Sequence, residues 1–260
     1  MPPDLPLHAQ NPQGRFSDRA SDYASYRPSY PPAAIDTILA NLGDPAQLRV
    51  ADIGAGTGIS SRLLAERSAA VWAIEPNAAM RAAAQPHPDL SFQDGTAEQT
   101  GLPDQSVDLV TCFQSFHWFE PSTSLREFHR ILRPAGRVAL IWNDRDREDE
   151  FTNQYTDAIL QAVDPVYFER IDRKASDAEA LRLSPLFQDY QAHQFPNRHP
   201  LSRAGLVGLA LSASYVPKSG ELHDQLIQNL QQLYDSWQGA EMAYRTHVFV
   251  ARRGSEGVRG

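Results

Sequence analysis

Residues 50–58 read Val-Ala-Asp-Ile-Gly-Ala-Gly-Thr-Gly, and no other stretch of the chain constrains the fold as much. A short apolar run with β-branched residues reads as a strand. The glycines at 54, 56 and 58 read as a tight turn. Ile59, Leu63 and Leu64 then fall on one side of a helix. Glycine suits such a turn because the backbone bends sharply and a ligand can approach without a Cβ in the way. The helix that follows offers unpaired N–H groups at its first turn. A buried strand feeding a helix in this way needs parallel strands beside it, so the unit points to an α/β sheet.

The rest of the chain supplies such strands. Ala34, Ile35, Ile38, Leu39 and Leu42 share a helical face, with Gly43 as its stop. Val71–Ile74 reads as a second strand ending at Glu75, and Asn77 as the N-cap of a short helix. Leu90–Phe92 is a weak third strand, Val107–Phe113 a strong fourth and Val138–Trp142 a fifth. A helix with Leu125, Phe128, Ile131 and Leu132 precedes the fifth. After Trp142 the pattern changes. Residues 143–150 form a charge run, expected to be a solvated loop. Weak strands near 191–196 and 246–251 flank a helical stretch with Leu222, Leu226, Leu230 and Leu233. An antiparallel pair closing an otherwise parallel sheet fits this, with helices on both faces. A helical lid is expected after the fifth strand, at about 143–215.

The glycine turn also bears on the ligand. A dinucleotide site needs G-x-G-x-x-G/A. In this register Gly54 and Gly56 are followed by Ile59, so the third position fails, and Gly58 comes one residue early. Asp52 places a carboxylate beside the turn, which suits a cationic amino group better than a pyrophosphate. Glu75, at the end of the second strand, can accept hydrogen bonds from ribose hydroxyls. That feature serves either cofactor class.

Charge and composition exclude other classes. The formal net charge is −8, and no Lys/Arg cluster offsets it. Nucleic acid is therefore a poor partner. Cys112 is the only cysteine, so neither a disulfide nor a Cys-based zinc site is available, and no metal is expected. Nothing approaches the ~20 apolar residues that span a bilayer. The Pro-rich residues 1–14 read as a disordered tail rather than a signal peptide, and the protein as soluble and cytoplasmic.

Six pieces in order then resemble the class I S-adenosylmethionine (SAM)-dependent methyltransferases, of the methyltransferase type 11 domain and the trans-aconitate methyltransferase-like group. They are Tyr23–Pro31, Asp52–Gly58, Glu75–Asn77, Gly95–Glu98 with Leu102-Pro103 and Ser106–Asp108, Gln114–Phe119, and Leu132–Gly136. The resemblance covers about residues 15–142 well and extends loosely to Arg253. It implies one domain over 15–253, a C-terminal tail at 254–260, and a Rossmann-like seven-stranded sheet with a reversed last strand. It implies SAM as cofactor, with Asp52 and the backbone of Gly54, Ala55, Gly56 and Gly58 holding the methionine part. Glu75 with Pro76 would hold the ribose. Thr96, Ala97 and Glu98 would line the adenine, although many relatives carry Asp where Thr96 stands. Gln114 and Ser115 would lie beside the methionine portion.

Other candidates keep two readings each. His117 follows the fourth strand and is the general-base candidate, or else a structural histidine against Trp118. Tyr23 and Tyr26 either face the sulfonium or pack the N-terminal segment. Arg27 can fork onto a carboxylate, of SAM or of an acidic substrate, or lie on the surface. Ser214 and Tyr215 belong to a region that relatives fold near the acceptor. The expected function is methyl transfer to a small-molecule carboxylate, hydroxyl or activated carbon, by a monomer or homodimer. A SAM-binding protein with other chemistry or a sensor role is the alternative, and an NAD-dependent oxidoreductase fits less well.

Overall fold

The computed structural model describes residues 19–67, 70–164, 168 and 178–255. The expected tail at 1–14 lies outside these residues, as does the C-terminus from 256. Seven strands form one sheet: β1 (Arg49–Ile53), β2 (Ala70–Ile74), β3 (Leu90–Gln93), β4 (Val107–Phe113), β5 (Leu132–Arg145), β6 (Phe187–Leu201) and β7 (Ala240–Arg253). Their order is β3-β2-β1-β4-β5-β7-β6. The first five pair in parallel. β7 runs antiparallel to both β5 and β6, so the reversed strand lies between them. The chain winds outward from β1 in one direction and from β4 in the other. A crevice therefore opens where the C-terminal ends of β1 and β4 diverge, which is where open α/β sheets bind ligands.

Strand alternation divides the core between the two faces. Ala51, Ile53, Val110 and Cys112 pack on one side with Phe116, Leu125, Phe128 and Trp142. Val50, Leu109, Ala139 and Ile141 pack on the other with Ala34, Ile35, Ile38 and Leu64. Helices α2 (Pro32–Leu39) and α3 (Ile59–Ala65) serve the second face, and α5 (Pro121–Ile131) the first; α4 (Ala78–Ala82) follows β2. Each fully buried Leu, Ile or Phe contributes ~1.5–3 kcal/mol, which fixes the strand ends that carry the site.

A third cluster sits over the sheet's C-terminal edge. It draws on α6 (Glu150–Leu160), α8 (Arg203–Leu211), α9 (Glu221–Trp237) and β7, through Phe151, Tyr155, Leu206, Leu209, Leu226, Leu230 and Met242. Helix α1 (Ala20–Tyr26) packs onto α8. A Cβ built on Gly208 would meet the Tyr26 ring at 2.2 Å, so only glycine lets these two helices approach. This cap comes from both sides of β6. Between β5 and β6 lie α6 and α7 (Glu179–Leu183), and between β6 and β7 lie α8 and α9.

The strands after β4 are longer than the sequence pattern suggests. β5 runs to Arg145, so Asn143, Asp144 and Arg145 are strand residues and not part of a solvated loop. β6 occupies the middle of the span expected to be a lid. It is an edge strand with alternating exposed polar residues and with Pro196 and Pro200, both tolerated at an edge. The expected weak strand near 191–196 is its middle, and that composition hides the rest from a search for apolar runs.

Candidate active site

Two cavities meet at the crevice. One, of about 460 Å³, is lined by Gly56, Glu75, Pro76, Asn77, Met80, Thr96, Ala97, Glu98, Ser115, Trp118, Phe119 and Glu120, among others. The other is a narrow chamber of about 60 Å³ under the cap. Arg27, Pro28, Tyr30, Ala55, Asn143, Asp144, Arg145, Leu209, Tyr215 and Tyr244 help to line it. Tyr23, Gly54, Phe113 and Gln114 belong to both linings.

The turn after β1 forms the floor. Gly54, Gly56 and Gly58 all have positive φ, at 68°, 58° and 76°. A Cβ on Gly54 would meet the Ser115 Cβ at 2.6 Å, so the turn and the segment after β4 touch backbone to side chain. A Cβ on Gly56 would find only the Met80 Cε at 3.3 Å and a Tyr23 ring carbon at 3.9 Å, because that glycine faces the cavity. Gly58 lines neither cavity. Its left-handed conformation ends the turn and starts α3.

Asp52 does not reach either cavity. It is fully buried, and its carboxylate accepts hydrogen bonds from Ser60 Oγ (2.7 Å), Ser61 Oγ (2.6 Å) and Thr111 Oγ1 (2.9 Å). Burial raises its pKa, and the three hydroxyls pull it back down. The residue braces the glycine turn against α3 and β4 from behind and lines neither cavity.

Glu75 does line the larger cavity. Its carboxylate accepts from the Gly56 N–H (2.9 Å) and the Asn77 N–H (2.8 Å). A carboxylate has about four lone-pair sites, so acceptor capacity remains toward the cavity. Burial raises its pKa against the two backbone hydrogen bonds. Asn77 caps α4 through its side chain, as expected. At the far end Ala97 is buried, and Glu98 Oε1 accepts from the Glu120 N–H at 3.0 Å. The Thr96 hydroxyl accepts from the Gln99 N–H at 3.2 Å.

Gln114 sits where the cavities join. Its φ of 56° is unusual for a residue with a side chain. The Nε2 donates to the Asn143 carbonyl at 3.0 Å, and the buried Oε1 has no hydrogen-bond partner among the described residues. Arg27 matches it from above. Its guanidinium lies 4.8 Å over the Tyr23 ring, Nη2 donates to the Ser212 carbonyl at 3.3 Å, and the buried Nε has no hydrogen-bond partner among the described residues. Ser115 donates to the Ile53 carbonyl at 2.7 Å and so ties β4 to β1.

His117 lines neither cavity. It is 8% exposed, accepts a hydrogen bond from the Trp142 Nε1–H at 3.3 Å through Nδ1, and lies 4.9 Å from the Trp118 ring. Tyr26 likewise packs against Gly208 instead of facing the crevice, and Ser214 is absent from both linings. The larger cavity is mostly made of residues named from the sequence. The narrow chamber is not: Asn143, Asp144, Arg145, Leu209 and Tyr244 went unnamed. The strand period continuing past Trp142 was the one available signal for the first three.

Comparison with known proteins agrees with this geometry. A methyltransferase-domain family model matches residues 51–140, from β1 into β5. An uncharacterized methyltransferase of Mycobacterium tuberculosis is 34% identical over 84% of this chain and 84% of its own. The chain belongs to the class I SAM-dependent methyltransferases. Its membership of the trans-aconitate group does not follow from these matches. Among solved structures, a methyltransferase from Anaeromyxobacter dehalogenans superposes with a TM-score of 0.60 at 24% identity, covering 88% of this chain and 97% of that one. The [4+2]-cyclase SpnF superposes at 0.55 and 14% identity, covering 96% and 97%. The fold alone is thus shared with a protein named for different chemistry.

The methyltransferase's residues fit SAM. The methionine tail is a zwitterion; among the described residues, Gln114 at the junction offers a buried acceptor without a hydrogen-bond partner, Oε1, and Arg27 on the wall of the narrow chamber a buried donor, Nε. Gly56 leaves the space that a Cβ would fill. Among the described residues, no helix is long and apolar enough to cross a membrane.

Proposed function

We propose that this methyltransferase holds the adenosyl part of SAM in the larger cavity and transfers the methyl group to a small molecule in the narrow chamber. The observation that carries this reading is the junction at Tyr23, Gly54, Phe113 and Gln114, where the two cavities share their walls. When bound, SAM supplies a methyl group on a sulfonium, activated for in-line displacement.

The chain's own residues position and desolvate. Glu75 accepts the ribose hydroxyls with the acceptor sites that Gly56 and Asn77 leave over. Ala97 and Glu98 face the adenine edge. The Thr96 hydroxyl and the Glu98 carboxylate each already accept one backbone N–H, but a carboxylate keeps more acceptor sites than a hydroxyl, so Glu98 is the better acceptor for the adenine amine. Arg27 Nε donates to the methionine carboxylate, and Gln114 Oε1 accepts from the ammonium. Tyr23 forms the wall between the two ligands. Aligning the acceptor with the methyl group supplies ~7–11 kcal/mol of the barrier without any proton transfer. His117 stays in the core and takes no part in the chemistry. The net charge of −8 and the enclosed chamber favour a small molecule over nucleic acid, and a cytoplasmic location fits.

Calorimetry with S-adenosylhomocysteine (SAH), followed by turnover of methyl-labelled SAM with a metabolite extract, tests this reading. Micromolar SAH binding and label transfer to a small molecule are expected. No SAH binding would defeat it. Binding without transfer to any extract component would favour SAM-dependent chemistry of another kind, which the likeness to the cyclase fold keeps open.

A further inference from the structure

The cofactor reading assigns Arg27 to the donor's tail and leaves a second guanidinium in the chamber, that of Arg145. Arg145 ends β5 and is held from several sides. Its Nη2 donates to the Tyr215 hydroxyl at 2.9 Å. Its guanidinium lies 5.2 Å from the Tyr155 ring centre and 5.8 Å from that of Phe168. Sheet and cap together fix a cation on the wall of the chamber, although the chain as a whole is acidic.

The other polar groups around it also suit an anion. Tyr23, Tyr30, Tyr215 and Tyr244 line the same chamber. Burial pushes the Tyr244 phenol up to about 12 and the Tyr30 phenol well above its usual range, so both remain neutral O–H groups at ordinary pH. A phenol in that form can donate to an oxyanion. One carboxylate, Asp144, shares the lining. It precedes Arg145 on the strand, so the two point to opposite sides. Its Oδ2 lies 3.6 Å from His247 Nε2 on β7. Among the described residues, the charged lining is two guanidiniums and one carboxylate that is turned toward a histidine. Low-dielectric walls concentrate the field of such an arrangement.

We propose that Arg145, oriented by Tyr215, binds an oxyanion of the methyl acceptor, so that the acceptor is a small organic anion. The inference rests on the cofactor reading above, and the test separates the two. Protein saturated with SAH is titrated with butyrate, ethyl phosphate and the neutral butyramide, followed by ligand-observed NMR. At least one anion binds and butyramide does not; which anion binds tells carboxylate from phosphate. Arg145→Gln lowers that anion's affinity ~30-fold or more, as expected when one partner of a buried charge pair is removed. Its SAH affinity stays at the wild-type value, and Arg145→Lys recovers part of the anion binding.

Tyr215→Phe removes only the hydroxyl that holds Arg145. It decides the matter if Arg145→Gln fails to fold: anion affinity falls while SAH binding persists. The proposal is overturned if neither anion binds the SAH complex, if butyramide binds as well as the anions, or if the folded variants bind the anion like wild type. Failure of the wild-type protein to bind SAH at all would instead defeat the cofactor reading.

Discussion

The two cavities that meet at Gln114 are built by opposite means. The larger cavity, proposed for the adenosyl group, is made at the ends of neighbouring parallel strands, by glycine backbone after β1, Glu75 after β2, residues 95–98 after β3 and Gln114–Ser115 after β4. Each piece adjoins the strand that places it. The acceptor chamber is made of side chains from distant parts of the chain: Tyr23 and Arg27 from the N-terminal segment, Asn143–Arg145 from β5, Leu209 and Tyr215 from the cap, and Tyr244 from β7. A backbone-built site is tied to the sheet and to one kind of ligand. The cap's share of the chamber, Leu209 and Tyr215, can change without disturbing the sheet, because loops and insertions tolerate change where strands do not, whereas Asn143–Arg145 and Tyr244 are held by the sheet.

Substitutions can break or sharpen that contrast. The largest effect is expected for Gly56→Val. The nearest atom to a new Cβ is the flexible Met80 Cε, so nothing blocks the side chain, although a β-branched residue at φ 58° costs at least ~1–3 kcal/mol of backbone strain. The side chain would fill the adenosyl cavity, and SAH binding by calorimetry should become undetectable. Unchanged affinity would move the cofactor elsewhere. Gly54→Ala should act on folding itself, because its Cβ runs into Ser115.

Asp52→Ala comes next. It leaves three buried hydroxyls without their acceptor and should cost at least ~3 kcal/mol in denaturant unfolding. A loss of SAH affinity with no loss of stability would return Asp52 to direct contact with the ligand.

Glu75→Ala should weaken SAH by about 1.5–3 kcal/mol, the worth of hydrogen bonds to a charged group. Glu75 also predicts a pH dependence. Its pKa is raised above the ordinary 4.5, chiefly by burial. The ionised form accepts the ribose, so SAH affinity should fall on acidification from a pH above 4.5. For stability the sign reverses. Burial favours the neutral acid, so this residue's contribution is fully present below 4.5 and lost as pH rises through the raised value. In Glu75→Gln both dependences should flatten. An SAH affinity that rises on acidification would contradict the assignment.

Smaller effects are expected away from the adenosyl cavity. His117→Ala should cost ~1–3 kcal/mol of stability by leaving the Trp142 indole N–H unpaired, with turnover unchanged. A lost turnover in a stable variant would make His117 a catalytic group after all. Tyr155→Phe should do least. It removes a buried hydroxyl with no hydrogen-bond partner among the described residues, so stability should hold or rise slightly and SAH affinity should stay constant.

The same contrast explains how much could be read from the chain. The parallel half of the sheet was legible because its strands are short apolar runs bounded by Gly, Asn and acidic residues. Glu75 could be named because it sits just beyond such a run, whereas Ala97 and Gln114 were named through the resemblance alone. Asp52 was legible as a residue beside the glycine turn, but sequence gives only its distance from the glycines and not the three hydroxyls that enclose it. The chamber was hidden for two reasons. Residues 143–150 look solvated as a run, yet the strand period carries Asn143 and Arg145 inward before the charges reach solvent at Arg147 and Glu148. Tyr215 was named through the resemblance alone, and Tyr244 reaches the chamber only through the pairing of its strand with β5. β6 was read only in part, as a weak strand near 191–196, because it is an edge strand that buries little.

A crystal structure of the SAH complex tests the central claim most directly. Ribose hydroxyls on Glu75, the methionine carboxylate at Arg27 Nε and the ammonium at Gln114 Oε1 are expected, with the sulfur at the Gly54 junction facing the chamber of Arg145. SAH bound away from Glu75, or with its tail turned from Arg27 and Gln114, would contradict the assignment of the two cavities.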